Sequence, residues 1–478
     1  MDHSFRGIRQ GLIELKKISE RRSRDEFRVY QDEYAAEAIR LIVPMNIRFE
    51  LQGWARSYYD LQQHVQAIEA YNLPKLPEPT HIAWNQTKQM TQAIFRQFDQ
   101  IDCLSYKDFD SVKWMSSSSA GYGYEGHKGD DDNYKKAKKT AVTIAEKLNH
   151  DVNYGPEAIK ESTPDIAFTR TQLSQVKVKT KVRNVWGEAF HYVLLEGLFA
   201  QPIVEYFMNI NSFYFIGKDP LLSVPALIDE MLRNKDYVYM FDWSAFDATV
   251  QEWEIRFAFE CLESMIQFPS TVEFQIWRFV IELFIYRKIA SPHGVLYLKT
   301  QGIPSGSCFT NIIGSITNYV RIQYMFNRLT GSFATVYTHG DDSLAAVNSD
   351  QFVHFNALEK IASEHLWKLN ASKSSMSMKQ EGVTFLSRTV REGQNRREEL
   401  ACLRMLMYPE YPVESGDLSA LRAFSIMNDS GLHSSYFLKI FQLLKENHGI
   451  AASLPNHLKI WDPKEYEARK VSYSMYVM

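Results

Sequence analysis

Apolar positions recur at helical spacing through residues 1 to about 72, most clearly in SRDEFRVYQDEYAAEAIRLIV, and predict helices there. The proline-rich run NLPKLPEPT at 72–80 breaks that pattern and reads as a linker. A second helical stretch leads to SSSSAGYGYEGHKGDDD at 116–132, whose Ser, Gly and Asp content makes it a loop. The central part then changes character. DYVYMFDW at 236–243 is a buried strand in pattern, and ATVQEWEIRFAFECLESMI after it is helical. FIYRKIA and VLYLKT flank SPHG as a β-hairpin, and GIPSGSCFTNIIGSITNYVRIQYMF starts as a glycine-rich loop and continues as a helix. SFATVY and SLAAV form a second hairpin around Gly-Asp-Asp, VTFLSRTV at 383–390 is one more strand, and beyond about residue 400 the pattern is helical again. A mixed central sheet with helices before and after it is an α+β arrangement.

Composition narrows the class. Hydrophobic residues at 45% and charged residues at 23% exclude a disordered or collagen-like chain. Four cysteines, Cys103, Cys261, Cys308 and Cys402, stand far apart with no CxxC pair, which disfavours zinc and a disulfide framework and fits a reducing compartment. The most apolar long segment, FQIWRFVIELFIYRKIA, is interrupted by Arg278, Glu282 and Arg287 and is too charged to span a bilayer. With no signal-peptide pattern at MDHSFRGIRQ, the chain reads as soluble and intracellular. A net charge of −3 gives no global basic excess for a polyanionic partner, so local clusters such as RRSRDEFR, KKAKK and KVKTKVR must attract one.

The candidate chemistry lies in four elements. Asp341 and Asp342 interrupt strand-like sequence; Gly-Asp-Asp is ordinary turn chemistry, but buried carboxylates are costly unless paired or holding a metal. Asp242 closes the strand DYVYMFDW, with Asp247 five positions on. Alone it reads equally as a helix cap. If the two strands are neighbours, the carboxylates can hold two divalent ions ~3.5–4 Å apart for in-line phosphoryl transfer, and oxygen-only ligands favour Mg²⁺ or Mn²⁺. The loop GIPSGSCFT offers backbone N–H groups and hydroxyls to a sugar or phosphate, or is a plain helix N-terminus capped by Ser307. Lys177, Lys179, Lys181 and Arg183 alternate, so a strand would put all four on one face, as a triphosphate site or as a charged edge strand.

In this order the elements resemble the palm and fingers motifs of viral RNA-dependent RNA polymerases over roughly residues 115–390. KTKVRNVWG is similar to motif F, DWSAFD to the D-x4-D of motif A, SGSCFT to the SGxxxT core of motif B and GDD to motif C. LNASKSS is similar to motif D, VTFLSR to motif E, and SSSSAGYGYEGHKGD lies where motif G contacts template. Within the family, the short chain, RNVWG, PSGSCFT and the Ser-rich loop most resemble partitiviruses of the plant cryptic type, with picobirnaviruses next.

The resemblance implies a right hand with an RRM-like antiparallel palm sheet and helical ends. Its divisions are an extension at 1–80 bridging fingers and thumb, fingers at 81–235, palm at 236–265, a fingers insertion at 266–300, palm at 301–395 and thumb at 396–478. It implies an enzyme that copies viral RNA to transcribe and replicate a double-stranded RNA genome. Asp242 and Asp341 would hold two Mg²⁺ or Mn²⁺ ions, with Asp342 assisting. Lys181 and Arg183, helped by Lys179, would grip the triphosphate, and Lys373, or nearby Lys368, would protonate pyrophosphate. Asp247 would accept from the 2′-OH directly or through Ser305 and Thr310 beside Gly306, where reverse transcriptases generally carry an aromatic residue. Ser118, Ser119 and Gly121 would meet the template. The family's motif B extends to SGxxxTxxxN, and here the last position is Gly314; Asn318, or else Asn311, is expected to take the sugar contact. Implied partners are template and product RNA, ribonucleoside triphosphates and the viral capsid protein, with no membrane, in the virion interior and host cytoplasm. Reverse transcription, or a catalytically silent RNA-packaging scaffold, are the competing readings; Asp247 speaks against the first and the retained aspartates against the second.

Overall fold

The computed structural model describes residues 7–20, 29–56, 58–151, 154–178, 182–430 and 433–452. In chain order, its site-forming elements begin with strand β1 (Leu12–Lys17), helices α1 (Glu33–Ile42) and α2 (Ile82–Phe95), strands β2 (Asp165–Thr171) and β3 (Val182–Gly187), and helix α3 (Phe190–Asn209). Strand β4 (Tyr237–Met240), helices α4 (Glu252–Glu263) and α5 (Thr271–Ile285), strands β5 (Arg287–Ala290) and β6 (Val295–Lys299) and helix α6 (Thr310–Thr330) follow. Then come strands β7 (Thr335–His339), β8 (Asp342–Val347), β9 (Ser375–Ser377), β10 (Thr384–Phe385), β11 (Arg388–Arg391) and β12 (Gln394–Arg396). Helices α7 (Glu399–Met407), α8 (Gly416–Asp429) and α9 (Ser435–His448) complete the described chain.

The centre is a four-stranded sheet in the order β7-β8-β4-β9, antiparallel throughout. Helix α6 is buried on all sides from Ile312 to Asn327, the signature of a helix at the middle of a large core. Its Arg321, fully buried, donates to Glu254 on α4 (Nε to Oε1, 2.7 Å; Nη2 to Oε2, 2.9 Å) and to the Thr249 hydroxyl (3.1 Å). The guanidinium also lies against the Phe246 and Trp367 rings, each 4.9 Å away, so a charge that would be costly alone is both paired and stacked. A second, five-stranded sheet, β1-β6-β5-β2-β3, stands beside it. Among the described residues no helix is long and apolar enough to cross a membrane.

Two predicted elements differ. Leu12–Lys17, within the region read as helical, is a strand that pairs with β6 through a bulge between Glu14 and Lys16; a neighbouring sheet edge overrides local pattern. VTFLSRTV is not one strand but the hairpin β10–β11, because Leu386 (φ 50°) and Ser387 (φ 59°) turn the chain in left-handed conformations. The basic run RRSRDEFR at 21–28 lies outside the described residues.

A separate apolar cluster joins α1 to α7, α8 and α9. Buried Asp32 caps α1 through the Ala35 N–H (3.0 Å) and accepts from Ser419 Oγ (2.9 Å) and from Arg422. Asp32→Ala leaves the buried Arg422 without its carboxylate and is expected to destabilise the protein by about 3–5 kcal/mol. Urea unfolding checks this; a loss below about 1 kcal/mol would show that the link is dispensable.

Candidate active site

Strands β4 and β8 are neighbours in register Met240–Leu344, and continuing that register two residues sets Asp242 opposite Asp342. Gly340 (φ 63°) makes the tight turn between β7 and β8, which puts Asp341 at the hairpin tip. Helix α6 holds this turn from below. The Gly340 N–H donates to Ser315 Oγ (2.7 Å), and the Asn318 amide donates to the carbonyls of Gly340 (3.0 Å) and Asp341 (2.9 Å). Asn318 Oδ1 accepts from Trp243 Nε1 (3.0 Å), so one buried amide ties both aspartate-bearing segments together. The expected sugar contact of Asn318 is thereby corrected: its amide hydrogens and its oxygen are committed to the turn and to Trp243. Asn311 is half-buried, its amide 3.4 Å from His339 Nε2. At Gly314 a Cβ would lie 3.6 Å from Gly340 Cα, in ordinary contact with the turn.

Asp247 follows Ala245, a residue in left-handed conformation (φ 49°) that turns the chain sharply after Asp242. Ser305 donates to Asp247 Oδ2, and the Ile303 N–H donates to the Asp247 carbonyl (2.9 Å), which docks the loop GIPSGSCFT on the acidic segment. Desolvation pushes Asp247 up to about 6; Ser305 lowers it, Asp341 raises it and Arg183 lowers it again. Asp342 is reachable by solvent but walled in by protein, and desolvation, then Asp341, raise it to about 7, with Asp242 adding to the rise and Arg183 opposing it. These mutual influences, with the Ser305 bond, put Asp242, Asp247, Asp341, Asp342, Ser305 and Arg183 near one another. Such a concentration of like charge attracts cations.

The remaining predicted residues distribute unevenly. Thr310 Oγ1 accepts from the Gly306 N–H (3.1 Å) and donates to the Pro304 carbonyl (2.9 Å), bracing the loop rather than reaching Asp247. Gly306 (φ 141°) lies so near the Trp186 carbonyl that a Cβ would come within 2.3 Å of it. Lys373 is exposed, next to Ser374, whose hydroxyl accepts from the Asp242 N–H (3.0 Å). The Lys368 carbonyl accepts from the Ser244 N–H (2.8 Å). Ser118 accepts from Lys128 Nζ (2.7 Å), Ser119 Oγ accepts from the Gly121 N–H (3.2 Å), and Gly121 packs against the Glu188 carbonyl, so this loop is braced internally. Lys177 lies in a turn, not on a strand with Arg183, so the single-faced basic row is corrected at that position; Lys179 and Lys181 lie outside the described residues.

A family model described as viral RNA-dependent RNA polymerase matches residues 30–445. The chain belongs to the viral RNA-dependent RNA polymerases. It is similar to the genome polyprotein of simian hepatitis A virus genotype V, isolate AGM-27, at 26% identity over 212 residues, 41% of this chain and 9% of the polyprotein. The polyprotein of human hepatitis A virus genotype IIIB, isolate HAJ85-1, is 26% identical over 247 residues, 47% of this chain and 11% of that one. The chain thus spans only a small part of the curated relatives it matches. The human picobirnavirus RNA-dependent RNA polymerase superimposes with a TM-score of 0.65 at 17% identity, covering 94% of this chain and 90% of its own. Its insertion-loop deletion mutant gives 0.67 at 16%, covering 94% and 91%. The likeness establishes an α+β right-hand polymerase fold, here with the β7-β8-β4-β9 sheet carrying the acidic cleft.

Sequence reading of this polymerase missed a cluster behind motif B. Ligand atoms of Glu188, Glu196 and Cys308 lie within 4.8 Å of one another and could converge on a cation. The Arg287 guanidinium already bonds both glutamates (2.7 and 2.8 Å), which supplies the positive charge there. The only sequence signal was three charges inside otherwise apolar runs.

The raised carboxyl of Asp342 has a consequence for stability. Its folded-state pKa exceeds the unfolded value, so its deprotonation costs stability as pH rises from about 4 towards about 7. In chelator-containing buffer Asp342→Asn is expected to raise the melting temperature at pH 8 and to change it little at pH 4. Equal shifts at the two pH values in thermal melts would contradict this assignment.

Proposed function

We propose that this polymerase copies viral RNA by two-metal nucleotidyl transfer, transcribing and replicating a double-stranded RNA genome; the likeness to the picobirnavirus polymerase favours that type over the expected partitivirus type. The observation that carries the proposal is the β4–β8 register that faces Asp242 with Asp342 beside the Asp341 turn. The donor set fits the ions in kind: three carboxylates, all oxygen, suit Mg²⁺ or Mn²⁺. Bound ions would lower the pKa of the attacking hydroxyl and neutralise the leaving pyrophosphate.

The chain's own residues do the rest. Lys181 and Arg183, helped by Lys179, bind the triphosphate, and Lys373, or Lys368, hands a proton to pyrophosphate. Asp247 accepts from Ser305 through Oδ2, which leaves Oδ1 for the 2′-OH of a ribonucleotide. Gly306 lets the loop backbone approach Trp186, and Thr310 keeps the loop closed. Asn318 acts from beneath, fixing the carbonyls on both sides of the catalytic turn. Ser118, Ser119 and Gly121 support the template strand, and the fingers, palm and thumb take the spans implied by the motifs. Template and product RNA, ribonucleoside triphosphates and a capsid protein are the partners, in the virion interior and the host cytoplasm.

Nucleotide incorporation on an RNA template, with Mg²⁺ or Mn²⁺ and ribo- against deoxyribonucleotides, tests the reading. Asp341→Ala is expected to lower incorporation by about 10³-fold or more. Asp247→Ala is expected to relax the preference for ribonucleotides. Undiminished activity in Asp341→Ala would sink the metal assignment, and a wild-type preference for deoxyribonucleotides would favour reverse transcription.

A further inference from the structure

Both ends of the motif B loop are tied to one buried rung of the β5–β6 hairpin. Arg287 and Lys299 are direct cross-strand partners, 1% and 0% exposed. Two like charges facing each other in a dry interior are unfavourable unless each meets its own acceptors. Lys299 Nζ donates to the Gly302 carbonyl (2.8 Å), where the loop begins, and to the Ile285 carbonyl (2.9 Å) at the end of α5. Arg287 Nη2 donates to Glu188 Oε1 (2.7 Å) and to Glu196 Oε1 (2.8 Å). Glu196, fully buried on α3, turns its other oxygen to the loop: Oε2 accepts from Ser307 Oγ (2.7 Å) and from the Cys308 N–H (2.8 Å).

One cation therefore holds the loop directly at Gly302, and the other holds it through Glu196 at Ser307 and Cys308. Between these anchors lie Ser305 and Gly306. The stretch is steadied by Tyr71, whose hydroxyl donates to the Ile303 carbonyl (2.6 Å), and by the Trp186 N–H on the Ser305 carbonyl (2.8 Å). Asp165 adds a third carboxylate, 3.6 Å from Arg287 Nη1. If the cluster served only to fill the interior, apolar side chains would do so at lower cost. The split use of Glu196, one oxygen on the cation and one on the loop, is the arrangement of a relay.

We infer that Glu196, oriented by Arg287, is a positioning residue that sets the Ser305–Gly306 loop against Asp247 and so sharpens the choice of ribose. The inference rests on the polymerase reading above for its effect on nucleotides, but the clamp itself can be measured without activity. Cys308 is exposed whereas Cys103, Cys261 and Cys402 are buried, so its rate of alkylation reports the loop.

Glu196→Gln preserves the side chain's shape and removes its charge. Relative to wild type, the full chain carrying it is expected to lose about tenfold in ribo-over-deoxy discrimination. Burial, and after it Glu196 itself, hold the Cys308 thiol up, so loss of the Glu196 charge speeds alkylation without any loop movement. The loop is therefore read by alkylation in Ser307→Ala, expected to be about tenfold faster than wild type. The discrimination loss should appear mainly in KM for the ribonucleotide, with kcat much less affected, a split that general destabilisation would not produce. Ser307→Ala, which deletes one loop hydroxyl and leaves the Arg287–Glu196 pair intact, is the companion if Glu196→Gln fails to fold, and should shift both readouts in the same direction. Wild-type alkylation and wild-type discrimination in a folded variant would overturn the clamp. An inactive wild type would sink the polymerase reading instead, while the alkylation rate of Ser307→Ala still decides whether Glu196 holds the loop.

Discussion

The acidic cleft hangs from one face of helix α6. Ser315, Asn318 and Arg321 follow one another at three-residue spacing, and each ends in hydrogen bonds to a different part of the site. Ser315 takes the Gly340 N–H, Asn318 joins the hairpin tip to Trp243, and Arg321 holds Thr249 and Glu254 just beyond Asp247. Because α6 is buried along this length, none of these polar groups can fall back on water, and each must find its partner for the core to close. The requirement makes the helix a template: strands β4 and β8 and the short segment carrying Asp247 are positioned by the donors and acceptors it presents.

Charge is organised around that pillar in two opposite ways. On the open side, carboxylates crowd a cleft in which desolvation and mutual repulsion raise Asp247 and Asp342, with Arg183 opposing the rise. Behind motif B, buried Arg287 and Lys299 face Asp165, Glu188 and Glu196, and every strong contact there is made inside protein. The modest net charge of −3 thus says little about where charge acts, since the acidic residues are gathered at one open site and the cationic rung is buried among its own carboxylates.

Much of the site could be read from the sequence because apolar runs fix strand pairing. DYVYMFDW and SLAAV each have one register that buries them, and that register brings Asp242 and Asp342 together. Ser305 and Asp247 were legible through the motif that carries them, and they bond. What escaped detection depends on partners far away in the chain. Asn318 bonds backbone carbonyls of the hairpin tip, which have no side-chain identity to recognise. Arg287, read as an interruption that disqualified a membrane span, is the centre of a carboxylate cluster drawn from β2, the segment after β3, and α3. β1 was missed because its pairing partner, β6, lies more than half the chain away, and Leu386 and Ser387 bend a run whose composition favours extension.

The place of Asn318 also explains why so much rests on one loop. Position 314 holds a glycine packed at contact distance from Gly340; one helical turn further on, at 318, the amide lies beneath that turn and supports it. An amide spent on support cannot also reach a sugar, so in the proposed mechanism ribose recognition falls to Asp247 and Ser305. Ser305 reaches Asp247 only while the loop between Gly302 and Cys308 keeps its path, and that path is set from behind by Lys299 and by Glu196. A carboxylate and an ammonium in the dry interior are costly, and they are tolerated here because each ends on the backbone of the one loop that the ribose-reading pair depends on.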